Sequence, residues 1–343
     1  MLIIKEKISL WEHLKAAQKP IFLYGMGDGA EKILKVLEKN HISVSGIFAS
    51  DEFCRYQMFR GFEVCKYSDI MHKDFIVLVA FGTQRREVLE NIRKIASEQE
   101  LYAPDVPVFG DGIFDRDFFE EHEREFAQVY EMLADETSKI LYENLINYKI
   151  SGKIAYLDFD AKADCLSLTN HETYVDAGAY TGDTIHEFIQ CASGYDAIFA
   201  IEPDRKNFEK LKRNTKDLKN TFLFHAAAAN KDGKIGFEEN AGRNSVCSEQ
   251  SETQVSACTI DKILNKKQAT YIKYDVEGKE ISALEGTRHT IVQNKPKLCV
   301  SAYHRNEDLF AIPLYIKNIR ADYRIYVRKC TYIPAWDIQF YFI

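Results

Sequence analysis

Tyr174-Val175-Asp176-Ala177-Gly178-Ala179-Tyr180-Thr181-Gly182-Asp183-Thr184 decides the fold. An apolar, β-prone start, Tyr174 to Asp176, runs into a turn with two glycines and then into a helical period from Thr184 to Ile189, which is a strand, turn and helix in immediate succession. Gly178 and Gly182 carry no Cβ, so the backbone can pass close to a ligand, and the helix that follows offers free N–H groups to an anion. Asp176, at the strand end, can accept from an ammonium group. By itself such a turn fits many nucleotide-like ligands, cradled over Asp176, Gly178, Ala179, Tyr180, Thr181 and Gly182.

Outward from this turn the pattern repeats. Strands at Ala197–Glu202, Phe222–Ala226, Tyr271–Asp275 and Lys297–Ser301 alternate with helices at Asn207–Lys216, Ile281–Ile291 and Ala311–Ile319. The series closes with two strands, Tyr323–Arg328 and Asp337–Phe342, and no helix between them. So short a connection makes that pair antiparallel, because a parallel crossover needs many more residues. Upstream, an amphipathic helix at Ile8–Gln18 precedes strands at Ile21–Tyr24, Val44–Ala49, Phe62–Cys65, Phe75–Ala80 and Val106–Phe109. A charged helical stretch without Pro or Gly spans Phe114 to about Tyr148. The reading is an α/β protein with two doubly wound, Rossmann-like units: residues 1–112, a helical connector over 113–150, and a second unit over 151–343.

The chain has 343 residues, 46 % apolar and 28 % charged, with a formal charge of −7. That length suits two domains, and the negative charge is the reverse of a nucleic-acid-binding footprint, so a small-molecule or glycan acceptor is expected instead. The basic run Arg205–Lys219 reads as the solvated face of a helix with a Phe208, Leu211, Leu218 stripe. No segment has transmembrane or secretory character. Eight cysteines, at 54, 65, 165, 191, 247, 258, 299 and 330, form no C-x-x-C pair. They read as reduced thiols of a cytoplasmic protein.

Glu202 ends the second strand of the later series, where an acidic side chain can accept from both hydroxyls of a ribose; a surface carboxylate is the alternative. The block Tyr271-Ile-Lys-Tyr-Asp275-Val-Glu277-Gly278-Lys-Glu280 places charges at the end of an otherwise buried strand. Either chemistry or the dipole of the next helix N-terminus explains them.

Together, Val175–Thr184, Ala200-Ile-Glu-Pro-Asp204, Ile272-Lys-Tyr-Asp-Val-Glu-Gly278 and Ala283-Leu-Glu-Gly286 resemble the FkbM family of methyltransferases over about Tyr174 to Ile343. Pro296–His304 and Ile312–Ile316 resemble it too. The resemblance implies a class I methyltransferase fold with an antiparallel last strand and S-adenosylmethionine as cofactor. It places the methionine part at Asp176–Gly182, the ribose at Glu202 with Asp204 following, and the adenine beside His225, Ala226 and Ala227. Arg328-Lys329-Cys330 and the final strand, Trp336–Ile343, depart from the family pattern, which leaves the acceptor open.

A hydroxyl acceptor on a sugar or glycan, which the resemblance favours, must be aligned with the sulfonium methyl and relieved of its proton. His304, beyond the strand Lys297–Ser301, is the first candidate base, and Asp275 the second; a structural histidine is the alternative. Asp275 and Glu277 could share a divalent cation, but no His or Asp spacing requires one, and no metal is expected. In the first unit, Gly25-x-Gly27-x-x-Ala30 with Asp51 has the form of a dinucleotide fingerprint, a second nucleotide site that would make the chain an NAD-dependent oxidoreductase. The segment Lys19–Gly110 also resembles the Rossmann-like domain preceding sugar acetyltransferases, and a ligand-free scaffold fits equally. A non-catalytic protein that keeps the cofactor fold is the third reading. The sequence leaves the oligomeric state undetermined.

Overall fold

The structure is a computed structural model and describes residues 1–110, 112–158, 161–238, 246–247 and 253–343. The N-terminal half contains strands β1 (Ile21–Tyr24), β2 (Gly46–Ala49), β3 (Met58–Phe59), β4 (Phe62–Lys66), β5 (Ile76–Val79) and β6 (Glu100–Tyr102). They form one sheet in the order β3-β4-β2-β1-β5-β6, parallel except for the β3–β4 pair. β1, β2 and β5 are nearly continuous apolar runs, as strands covered on both faces by helices must be.

The C-terminal half contains β7 (Glu172–Ala177), β8 (Tyr195–Ile201), β9 (Thr221–Phe224), β10 (Ala227–Ala228), β11 (Gly233–Glu238), β12 (Val246–Cys247), β13 (Gln254–Cys258), β14 (Tyr271–Tyr274), β15 (Lys297–Ser301), β16 (Ile325–Lys329) and β17 (Ile338–Phe342). Its main sheet runs β16-β17-β15-β14-β7-β8-β9, with β10 to β13 in a small separate sheet. β7, β8, β9, β14 and β15 pair in parallel, and β17 inserts antiparallel between β15 and β16. The antiparallel terminal pair is the one anticipated from the short final connection. The order reverses between β7 and β14, which makes that junction the switch point where an open parallel sheet receives a ligand.

Three readings of elements are corrected. Val106–Phe109 is not a strand; Pro104 and Pro107 remove the donors a ladder needs, and the pairing falls to β6 instead. The stretch after Phe114 is three helices, Arg116–Glu121, Glu123–Met132 and Glu136–Ser151, with Asp135 capping the third through Ser138. The helix expected over 281–291 is two, Glu280–Glu285 and Arg288–Asn294, broken at Gly286, where a Cβ would stand 2.0 Å from the Ala229 carbonyl oxygen.

The helix Glu136–Ser151 is buried on nearly every side and joins the two halves. Its Tyr148 hydroxyl donates to Ala103 O and its Tyr142 hydroxyl to Leu309 O, each at 3.0 Å. Lys149 pairs with Asp105 at 2.6 Å, both side chains 4 % exposed. One apolar cluster therefore runs from Phe75, Val77 and Ile92 through Phe126, Tyr142 and Leu145 to Ile272 and Phe340. Two loops of the N-terminal half reach the C-terminal sheet. Thr83 bridges Ile333, and Phe109 N–H donates to His304 O at 2.8 Å. Among the described residues no helix is long and apolar enough to cross a membrane, and the cysteines at 54, 65, 165, 191, 258, 299 and 330 are free thiols.

Candidate functional site

The turn after β7 is built from backbone conformations that favour glycine. Gly178 has φ +89° and Gly182 φ +90°. A Cβ at Gly178 would lie 1.9 Å from the carbonyl oxygen of Asp275, so glycine there is what lets β7 and β14 end side by side. Gly178 N–H and Ala179 N–H both donate to Ile201 O, and Gly182 N–H closes the turn on Ala179 O. Tyr180, also at positive φ (47°), donates its N–H to Glu202 Oε2 at 2.9 Å. The Thr181 carbonyl accepts from Asn214 Nδ2 at 2.8 Å. The turn and the end of β8 are thus one hydrogen-bonded unit.

Asp176 is fully buried at the end of β7; one oxygen accepts from Thr184 Oγ1, while Oδ1 is buried with no partner. Burial raises its carboxyl to about 6, against Lys273 and Thr184. Glu202 is 6 % exposed and is pushed up to about 8 by burial, although the N–H groups of Asp204 and Tyr180 oppose the shift. An orphaned buried carboxylate oxygen beside a glycine cradle points to a ligand group that supplies the missing donor.

Gly178, Tyr180, Glu202 and Ala227 line a cavity of about 510 Å³ at the switch point, together with Asp275, Tyr303 and Trp336. The volume is in the range of small-molecule sites. Not every candidate faces it; Asp176, Ala179, Thr181 and Gly182 are outside its lining. Asp204 is the N-cap of the helix Arg205–Asn214, accepting from Asn207 N–H at 2.9 Å. His225 is exposed, stacked on Phe208, with Nε2 3.1 Å from Pro203 O. Ala226 is buried next to Ala227 but outside the lining.

Beside the turn, just past the end of β14, Asp275 is held by three neighbours. Lys273 Nζ donates to Oδ2 and the Tyr303 hydroxyl to Oδ1, each at 3.1 Å, and His304 Nε2 stands 3.6 Å from Oδ1. Burial alone would raise this carboxyl, but Lys273 and His304 hold it down at about 2. His304 is fully buried, its Nδ1 3.0 Å from Glu280 Oε1. Burial lowers it, but Glu280, Asp275 and Glu277 outweigh that and lift it to about 10. Such an imidazole keeps its proton at neutral pH and does not line the cavity, which is a poor situation for a general base.

Sequence reading missed several residues that line the cavity. Lys273, a lone charge within an apolar strand, was the one legible signal. Tyr332, Trp336 and Asp337 line the cavity, and so does Gln84, far from them in sequence. Trp336 Nε1 is buried without a partner, and burial raises the Asp337 carboxyl. The loop carrying them is backed by the N-terminal half, where a Cβ on Gly82 would stand 2.7 Å from the Trp336 ring. Phe109 packs against Gly278 and lies under the Arg305 guanidinium, 4.4 Å from its ring centroid, while Arg305 Nε donates to Gly278 O.

Gly25, Gly27 and Asp51 lie outside this cavity's lining, in the other half. The turn packs on the chain itself: a Cβ at Gly25 would be 2.4 Å from the Phe81 ring, and Asp51 Oδ1 accepts from Ser68 N–H.

Fold, strand order and cavity position define a class I methyltransferase architecture. Residues 176–334 match the methyltransferase FkbM domain. The structure is similar to that of a methyltransferase FkbM from Methylobacillus flagellatus KT, with TM-score 0.74 at 22 % identity, covering 95 % of this chain and 90 % of that one. The shared fold therefore includes the N-terminal half. Looser likenesses cover half the chain: an rRNA methylase from Streptococcus thermophilus (TM-score 0.35, 13 % identity, 51 % of this chain, 87 % of that one) and a fibrillarin from Aeropyrum pernix (0.32, 12 %, 52 % and 69 %). No curated protein matches the chain.

Proposed function

We propose that this protein is an S-adenosylmethionine-dependent O-methyltransferase acting on a hydroxyl of a sugar, glycan or related small molecule. The observation that carries the reading is the Gly178–Glu202 unit, where the glycine turn and the Glu202 carboxylate line the cavity and a buried, orphaned Asp176 oxygen sits at the strand end that precedes the turn. Asp176 would take the ammonium group of the cofactor, the Asp176–Gly182 turn its methionine part, and Glu202 its ribose, with Ala227 beside the adenine. When bound, S-adenosylmethionine supplies an electrophilic sulfonium methyl. The chain's own residues then have to orient the acceptor and exclude water. Asp275, steadied by Lys273 and Tyr303, accepts a hydrogen bond from the acceptor hydroxyl and aims its lone pair, whereas His304 acts through Asp275 as a positioning residue. Trp336, Tyr332 and Tyr303 offer aromatic faces to a sugar ring, with Asp337 and Gln84 as polar partners for its hydroxyls.

Titration of the intact protein with S-adenosylmethionine tests this. Saturable binding weakened by Glu202→Ala is expected, since that change strands the N–H groups of Tyr180 and Asp204 as well as losing the ribose acceptor. No binding by the intact protein would end the proposal.

A further inference from the structure

One cluster in the site gathers three carboxylates around a single imidazole. The carboxylates of Asp275, Glu277 and Glu280 converge on the single imidazole of His304: Nε2 lies 3.6 Å from Asp275 Oδ1 and 3.4 Å from Glu277 Oε2, and Nδ1 lies 3.0 Å from Glu280 Oε1. Lys273 is the ammonium at hydrogen-bond distance, on Asp275. Arg305 is turned away, its Nε on Gly278 O and its guanidinium over Phe109.

The hydrogen bonding is also incomplete. His304 is fully buried, yet neither ring nitrogen makes a hydrogen bond, because the nearby carboxylate oxygens stand off its donor directions or out of reach. Glu280 is 1 % exposed; Oε1 is pinned by Val276 N–H at 3.0 Å and Gly278 N–H at 3.4 Å, while Oε2 is buried with no partner. Buried polar groups are ordinarily satisfied, and buried charge is ordinarily paired or bound to a metal. Here an imidazole and a carboxylate, both sealed from solvent, keep unpartnered polar atoms in one cluster. One ligand atom each from Asp275, Glu280 and His304 lie within 4.8 Å of one another.

We propose that Asp275, Glu280 and His304 bind a divalent metal ion, with Glu277 beside it on the cavity side. Two carboxylates and one imidazole make a mixed oxygen and nitrogen donor set, suited to Mn²⁺ or Zn²⁺ more than to ions that need thiolate. Bonds of about 2.1 Å set adjacent ligand atoms about 3.0–3.4 Å apart, so the widest separations in the cluster must close by about an ångström or more. Asp275 and Glu277, about 28 % and 30 % exposed, can supply that movement, while Glu280 and His304 form the rigid floor. The ion faces the cavity where Asp275 lies. Its role there, unlike its binding, rests on the methyl-transfer reading: as a Lewis acid it would lower the pKa of the acceptor hydroxyl.

The test uses the full chain after chelator treatment and dialysis, titrated with Mn²⁺ alone. Free Mn²⁺ is followed by electron paramagnetic resonance and the melting temperature is recorded beside it. One saturable equivalent and a raised melting temperature are expected. Asp275→Asn should weaken binding at least tenfold and Glu280→Gln at least as much, with Glu285→Gln, on the outer face of the same helix, unchanged. Absence of saturable binding, or binding equal in Asp275→Asn and wild type, overturns the proposal. If Glu280→Gln does not fold, Asp275→Asn decides alone, because its side chain is partly exposed at the cavity wall. A parallel S-adenosylmethionine titration separates the two ideas: cofactor binding without Mn²⁺ binding removes only the metal site, and the reverse removes only the methyl-donor assignment.

Discussion

Gly178→Ala tests the central joint of the molecule. A Cβ there would stand 1.9 Å from Asp275 O and 2.8 Å from the carbonyl carbon. Non-bonded contact begins near 3.5 Å, so the turn and the end of β14 must part by about 1.5 Å. The φ of +89° adds roughly 1–2 kcal/mol of strain for an L-residue. Forced separation of packed backbone costs on the order of 1–3 kcal/mol more. The sum, about 2–5 kcal/mol, corresponds to a drop in melting temperature on the order of 5–10 °C. Because the displaced groups are the cradle and Asp275 itself, S-adenosylmethionine affinity should fall at least about tenfold, or about 1.4 kcal/mol, and turnover further. Gly27→Ala is the control. Its φ is +116° but a Cβ there meets nothing within 4 Å, so it should show the strain without the loss of affinity. Differential scanning fluorimetry and isothermal titration read both. A Gly178→Ala protein with wild-type melting and wild-type cofactor affinity would refute the argument that this glycine joins fold to site.

Four further outcomes follow from the same geometry. Trp336→Ala should raise the KM for the acceptor about tenfold while cofactor affinity is unchanged, in steady-state assays against a panel of sugars; an equal loss of both would place Trp336 elsewhere. Asp275→Asn should lower kcat on the order of 10²-fold with little change in cofactor affinity, checked by single-turnover transfer. Burial raises Glu202 to about 8 from 4.5, so the folded protein keeps a proton that the unfolded chain releases. Stability of the ligand-free protein should therefore fall as the pH climbs from about 5 to 8 and level off above, a slope that Glu202→Gln flattens in melting curves. Lys149→Met leaves Asp105 buried and unpaired and should cost about 3–5 kcal/mol in urea unfolding, most of it recovered by Lys149→Met with Asp105→Leu.

Much of the fold was legible because its determinants are local. Apolar runs at Ile21–Tyr24 and Lys297–Ser301 match the observed strands residue for residue, and the short link between the last two strands left antiparallel pairing as the one geometry its length allows. Where reading failed, a local rule was outweighed or overlooked. Pro104 and Pro107 forbid the ladder that the apolar residues from Val106 to Phe109 would otherwise join. Gly286 breaks a helical period because the Ala229 carbonyl needs the space.

By itself the sequence determined the glycine turn, the strand series and the acidic residue Glu202, since each is written in adjacent side chains and their period. Tertiary structure alone decided the rest. His225 stacks on Phe208, away from the cavity. His304 meets Glu280, Asp275 and Glu277 only when β15 pairs with β14, and the cavity wall at Trp336 is braced by the N-terminal half, which also packs on Gly278. Distances across a folded sheet follow from packing and register, which no local spacing encodes.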